Sequence, residues 1–211
     1  ESQVAHGQDI LRPAESHRLD YEAEIAIVIG KGGRRIQEKD AWDHIAGYSC
    51  YNDGSVREYQ RHTVQWTMGK NFDRSGSFGP FFVSADELPP GASGLSIECR
   101  LNGMSVQKDN TKNMQFNVLD TLLYVTKGIT LEPGDVISTG TPAGVGLGFK
   151  PPQYLKAGDV VVATPEPHHE KVVDIMEALK ASLAAAKKPA ASATVSKSTT
   201  EEKPARRRAR G

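Results

Sequence analysis

The stretch LDYEAEIAIVIGKGG, residues 19–33, decides the fold class, because it is a strand with apolar residues on both faces. Side chains alternate across a strand, so Ile25, Ile27 and Ile29 share one face while Ala26 and Val28 share the other. A strand that is apolar on both sides belongs inside a covered sheet. Glu22 and Glu24 fall on the face of Ala26 and Val28, where two like charges are costly unless something neutralises them.

The text on either side of this strand sets the rest of the expectation. The runs EIAIVIG, FFVSADEL, LSIECRLNG and DVISTG read as strands, separated by the turn segments LPPGASG and LEPGD. Two stretches have helical character, KDAWDHIAGYSCYND and MQFNVLDTLLYVTKG. In the second, Phe116, Leu119 and Leu123, joined by Val118 and Leu122, lie near helical spacing, and Gly128 closes the segment. Residues 1–162 therefore predict an α+β, β-rich domain without regular βαβ alternation.

After residue 162 the pattern changes. Residues 163–186 predict a Pro-rich linker and one amphipathic helix, striped by Val172, Val173, Met176, Leu179 and Leu183. Residues 187–211 have almost nothing to bury and predict a disordered basic tail. The 211-residue chain carries 26 basic and 26 acidic residues, but they are not evenly spread. Residues 183–211 hold eight basic and two acidic residues, a charge of +6, which leaves −6 on the remainder. A basic arm of this kind predicts weak, non-specific, salt-dependent nucleic-acid binding.

No run of about 18 apolar residues is present, so no transmembrane helix and no membrane partner are expected. The first residues, ESQVAHGQDILRP, lack the basic start and apolar stretch of a signal peptide. Cys50 and Cys99 stand far apart without CxxC spacing, which fits two inert buried thiols in a reducing compartment and a cytoplasmic location.

A third carboxylate answers the question of the two glutamates. Asp53, in YSCYNDGSVREYQ, comes from a different element, and with Glu22 and Glu24 it offers three hard oxygen ligands to one ion. Oxygen-only ligation favours Mg²⁺, Mn²⁺ or Ca²⁺ over zinc, and three protein ligands leave positions open for water and substrate. The plainer alternative puts Glu22 and Glu24 at a solvated strand edge, with Asp53 capping a turn. Arg57 follows Asp53 by four residues, so a helical turn there would put both on one face. Lys70, in WTMGKNFDRSG, adds a second cation suited to an anionic substrate, although singly each is commonly a surface residue. The Gly-rich run STGTPAGVGLG, residues 138–148, would let backbone N–H groups approach a ligand. Neither it nor GKGGRR has the spacing of a nucleotide-binding loop, and His6, His44 and His62 are isolated.

With these residues in view, residues 1–162 resemble the fumarylacetoacetate hydrolase family through LDYEAEIAIVIGK, AGYSCYNDGSVREYQ, QWTMGKNFDRSGSFGP, LNGMSVQKDNTKNMQF and LEPGDVISTGTPAGVG. The resemblance implies a mixed β-roll, usually a homodimer, and Mg²⁺ or Mn²⁺ held by Glu22, Glu24 and Asp53. It implies catalytic or substrate-binding roles for Arg57, Lys70 and Thr141, with Thr141 on the substrate carboxylate. The substrates it implies are 2-oxo or 1,3-diketo acids, cleaved, decarboxylated or isomerised through an enolate.

The family pattern also includes an upstream lid segment carrying a His and a Glu; with the text starting downstream of it, impaired hydrolysis is expected. Residues from EKVVDIMEALKAS onward instead resemble the C-terminus of bacterial Ku, a DNA end-joining protein. That likeness gives the alternative expectation of a DNA-associated protein.

Overall fold

A computed structural model describes residues 1–164, and the helix and basic tail expected beyond them, with the Ku-like segment, lie outside the described residues. In chain order the elements are strands β1 (Gln3–Ala5), β2 (Leu19–Asp20), β3 (Ala23–Ile29), β4 (Ile45–Asn52) and β5 (Ser55–Val56), and a single helical turn, α1 (Arg57–Gln60). They continue with β6 (Gly76–Ser84), β7 (Ser96–Leu101), β8 (Met104–Asn110), helix α2 (Val118–Gly128), β9 (Val136–Ser138) and β10 (Val161–Thr164). The β-rich α+β expectation holds. β10 runs past the boundary expected at residue 162.

β3 is interior, as its two apolar faces require. It lies between β4 and β9, antiparallel to both, in a five-stranded sheet of order β1-β6-β4-β3-β9. A second sheet, β10-β7-β8, is antiparallel throughout, and β2 pairs with β5 in a two-stranded ribbon. The odd-numbered side chains of the quoted stretch connect two apolar cores. Tyr21 and Ala23 pack with Leu19, Val56, Ile97 and Cys99 in one core. Ile27 and Ile29 pack with Tyr48, Val118 and Leu122 in the other, and Ile25 touches both. Among the described residues no helix is long and apolar enough to cross a membrane.

Three sequence expectations are corrected. KDAWDHIAGYSCYND is not a helix: only Glu38–His44 winds, as a 3₁₀ turn, and Ile45–Asn52 forms strand β4. Tyr48, Tyr51 and Cys50 suit a strand, Gly47 disfavours a helix, and pairing with β3 on one side and β6 on the other settles it. FFVSADEL stops being a strand at Ser84, whose hydroxyl donates to Glu87 Oε1 (2.8 Å) as the next residues turn. The helix of MQFNVLDTLLYVTKG begins at Val118, capped by the Asn117 side chain accepting from the Asp120 N–H (2.9 Å). Its fully buried stripe is Val118, Leu122 and Thr126, whereas Phe116 precedes the cap and is exposed.

Candidate metal centre

The even-numbered side chains of the quoted stretch build the site. Glu22 and Glu24 are both buried, on one side of β3 and its entry, and Asp53 follows the end of β4. The Asp53 N–H donates to the Glu22 carbonyl (2.9 Å) and the Glu22 N–H donates to Asn52 Oδ1 (3.0 Å), which locks the two segments together. Oxygen atoms of Glu22, Glu24 and Asp53 lie within 4.8 Å of one another. Gly54, next to Asp53, lets the chain pass close to the Ser75 backbone: a Cβ there would stand 1.7 Å from the Ser75 carbonyl oxygen.

Both sequence-predicted cations reach the acids. Lys70 Nζ bridges Glu22 Oε2 and Asp53 Oδ2 at 2.6 Å each. Arg57 Nη1 donates to Glu22 Oε1 at 2.5 Å. Arg57 does not share a helical face with Asp53, because β5 intervenes and helical geometry starts only at Arg57. It turns instead to Glu22 and to Asp20, and is itself buried.

The electrostatics show what this arrangement lacks. Burial pushes the Glu24 carboxyl up to about 7, helped by the charges of Asp53 and Glu22 and opposed by the bonds from the Ser138 hydroxyl and the Gly140 N–H. Burial also raises Asp53 above the usual carboxylate range, outweighing the pull of Lys70. For Lys70 burial works against the charge, but Glu22 and Asp53 outweigh it and the ammonium is held more firmly protonated. Asp20, Glu22, Glu24 and Asp53 set four carboxylates against two cations, an excess of two negative charges when all are ionised. Three convergent hard oxygens and a deficit of two positive charges fit a divalent cation of the Mg²⁺ or Mn²⁺ type.

The Gly-rich run does something other than its composition suggested. Its backbone donors serve the chain's own acids: Gly140 N–H bonds Glu24 Oε2 (2.9 Å), while Gly146 and Leu147 N–H bond Asp20 (2.8 and 2.9 Å). Thr141 is not in the acid cluster. Its hydroxyl donates to the Ala23 carbonyl and accepts from Gln107 Nε2, both at 2.8 Å. The same loop walls a cavity of about 360 Å³ whose lining includes Ile25, Asn110, Met114, Thr139, Gly140 and Thr141. That size suits a small organic molecule.

Sequence reasoning missed Asp20, Gln107 and Ser138. Asp20 had a signal, since it continues the two-residue spacing of Glu22 and Glu24; Gln107 and Ser138 lie in stretches the sequence had singled out, but their partners were set by β8 and the end of β9. Both cysteines are free; Cys99 is buried as expected but Cys50 only half-buried, and burial pushes their thiols up to about 12 and about 11.

An acid-lined centre on a curled, mixed β-sheet with few helices defines a class of protein, and the comparisons with known proteins place the chain within it. The chain belongs to the fumarylacetoacetate hydrolase family: residues 1–173 match the family described as Fumarylacetoacetate (FAA) hydrolase C-terminal. It is 45% identical over 163 residues to the mitochondrial oxaloacetate tautomerase fahd2 of Xenopus laevis, covering 76% of this chain and 51% of that protein. It is 41% identical over 166 residues to the oxaloacetate tautomerase YisK of Bacillus subtilis, covering 78% and 54%. The chain thus spans about half the length of the curated relatives it matches. Among solved structures, the fumarylacetoacetate hydrolase of Exiguobacterium antarcticum superposes with a TM-score of 0.75 at 44% identity, over 79% of this chain and 60% of that one. The fumarylpyruvate hydrolase of Pseudomonas aeruginosa, solved with Mn²⁺ and pyruvate, superposes at 0.65 with 28% identity, over 77% and 68%.

Proposed function

We propose that this chain is the metal-dependent enzyme domain of a protein acting on small anionic 2-oxo or 1,3-diketo acids, by carbon–carbon bond hydrolysis, decarboxylation or isomerisation. The observation that carries this reading is the convergence of Glu22, Glu24 and Asp53 within 4.8 Å, in surroundings that fall short of two positive charges once all four acids are ionised. These three residues would hold Mg²⁺ or Mn²⁺, with Ca²⁺ as a third hard cation of the same class. A bound cation supplies Lewis-acid charge to the oxygens of a keto acid.

The chain's own residues then have distinct parts. Lys70 keeps a firmly protonated ammonium beside the centre, where it meets negative charge growing on a substrate oxygen. Arg57 balances and orients Glu22, and its burial keeps that geometry out of water. Thr141 is assigned to the substrate carboxylate on the strength of its place in the cavity wall. Gln107 holds the Thr141–Pro142 segment against Ala23, through bonds of 2.8, 2.8 and 3.0 Å, so the wall keeps its distance from β3. A homodimer is part of this proposal; its support is the pair Phe81 and Phe82, exposed on β6.

The test is a thermal melt with and without Mn²⁺, followed by an assay of oxaloacetate enol–keto exchange and acylpyruvate cleavage. Mn²⁺ should raise the melting temperature of the wild-type chain, and Asp53→Ala should remove that rise. A melt indifferent to Mg²⁺ and Mn²⁺ would refute the proposal.

A further inference from the structure

We propose that Asp20 is a positioning residue, which aims Arg57 at Glu22 and so sets the affinity of the three-carboxylate centre for its cation; this inference rests on the metal-centre reading above. Asp20 is fully buried and is not one of the three convergent acids. Its carboxylate is saturated from three directions. Oδ1 accepts from the N–H groups of Tyr21 (2.9 Å) and Gly146 (2.8 Å). Oδ2 accepts from the Leu147 N–H and from Arg57 Nε, both at 2.9 Å. Arg57 Nη2 lies 2.8 Å from the same oxygen, as an ion pair without hydrogen-bond alignment.

The consequence follows from the shape of a guanidinium. It is a rigid planar fork, so fixing its Nε–Nη2 edge leaves Nη1 no freedom of direction. That remaining nitrogen points at Glu22 Oε1 (2.5 Å) and Gln60 Oε1 (3.0 Å). Glu22 is thereby held by one oxygen, and its other oxygen, Oε2, is the one that faces Lys70 beside Asp53. Asp20 also shares Arg57's charge, which would otherwise fall wholly on Glu22 and oppose a cation there. The loop end is equally committed: a Cβ on Gly146 would stand 2.7 Å from Asp20 Oδ1 and 1.8 Å from the Gln153 carbonyl oxygen. The Gly146–Leu147 turn therefore braces the carboxylate from behind.

Asp20→Asn keeps the shape but turns an amide nitrogen toward backbone donors or toward Arg57. Calorimetric titration of the full 211-residue chain with Mn²⁺ should show a dissociation constant weakened about 10- to 100-fold, the usual cost of losing the partner that orients a metal ligand. In an Arg57→Met background, Asp20→Asn should cost nothing further. If the loss is the same in both backgrounds, Asp20 acts only as a distant negative charge and the proposal is overturned. Unchanged affinity in Asp20→Asn overturns it as well.

Arg57→Lys provides a route that does not depend on the Asp20 variant folding, because it keeps the charge and removes the fork. Its Mn²⁺ affinity should fall into the same range, and an unaltered value would break the chain of action through Arg57. A wild-type protein that binds no Mn²⁺ would instead overturn the metal-centre reading itself.

Discussion

Glu24 makes the stability of the metal-free protein depend on pH in a direction opposite to that of an ordinary paired carboxylate. Its carboxyl is raised from 4.5 to about 7, chiefly by burial, and it is only 2% exposed. Between these two values the folded protein keeps a proton that the unfolded chain gives up. The stabilisation is therefore fully present below pH 4.5 and is lost as pH rises through 7. The difference of about 2.5 in pKa corresponds to roughly 3 kcal/mol, at about 1.4 kcal/mol per unit. For a domain of this size that is on the order of 6–12 °C in melting temperature.

The assay is a series of melts in EDTA from pH 4.5 to pH 8, on wild type and on Glu24→Gln, which keeps the neutral shape at every pH. The wild type should lose stability toward pH 8 relative to the variant. Saturating Mn²⁺ should reverse the wild-type trend, because the cation displaces the proton and binds about tenfold more weakly per pH unit below 7. Parallel profiles for wild type and Glu24→Gln would refute the reasoning, since the titrating group would then lie elsewhere.

Other outcomes follow from the same geometry. Lys70→Met should destabilise the metal-free chain by about 3 kcal/mol, because Glu22 and Asp53 lose a shared and largely buried partner. It should also enlarge the Mn²⁺-induced rise in melting temperature while lowering turnover. Gly54→Ala places a methyl group 1.7 Å from a backbone oxygen, so urea denaturation should report a loss of about 2 kcal/mol or more, together with weaker Mn²⁺ binding. Leu122→Ala, in the core beside α2, should cost about 2–5 kcal/mol in urea yet leave Mn²⁺ affinity intact below its melting transition.

Residues 19–33 determined much of this protein by themselves. The alternation of Ile25, Ile27 and Ile29 with Glu22, Glu24, Ala26 and Val28 specified an interior strand, and its surplus of acid asked for a third carboxylate and a cation. Local spacing carries that information because a strand assigns its side chains to faces two by two.

Tertiary structure decided what local spacing cannot encode. Ile45–Asn52 has residues that tolerate a strand, but pairing with a neighbour on each side is what settled it as one. The glycines after Ser138 turned their N–H groups on Asp20 and Glu24, since a buried carboxylate takes the nearest donors that folding delivers. Arg57 went to Asp20 and Glu22, 37 and 35 residues away, and left Asp53 to Lys70. Which acid meets which cation is a matter of distance in space, and only the packed chain sets that distance.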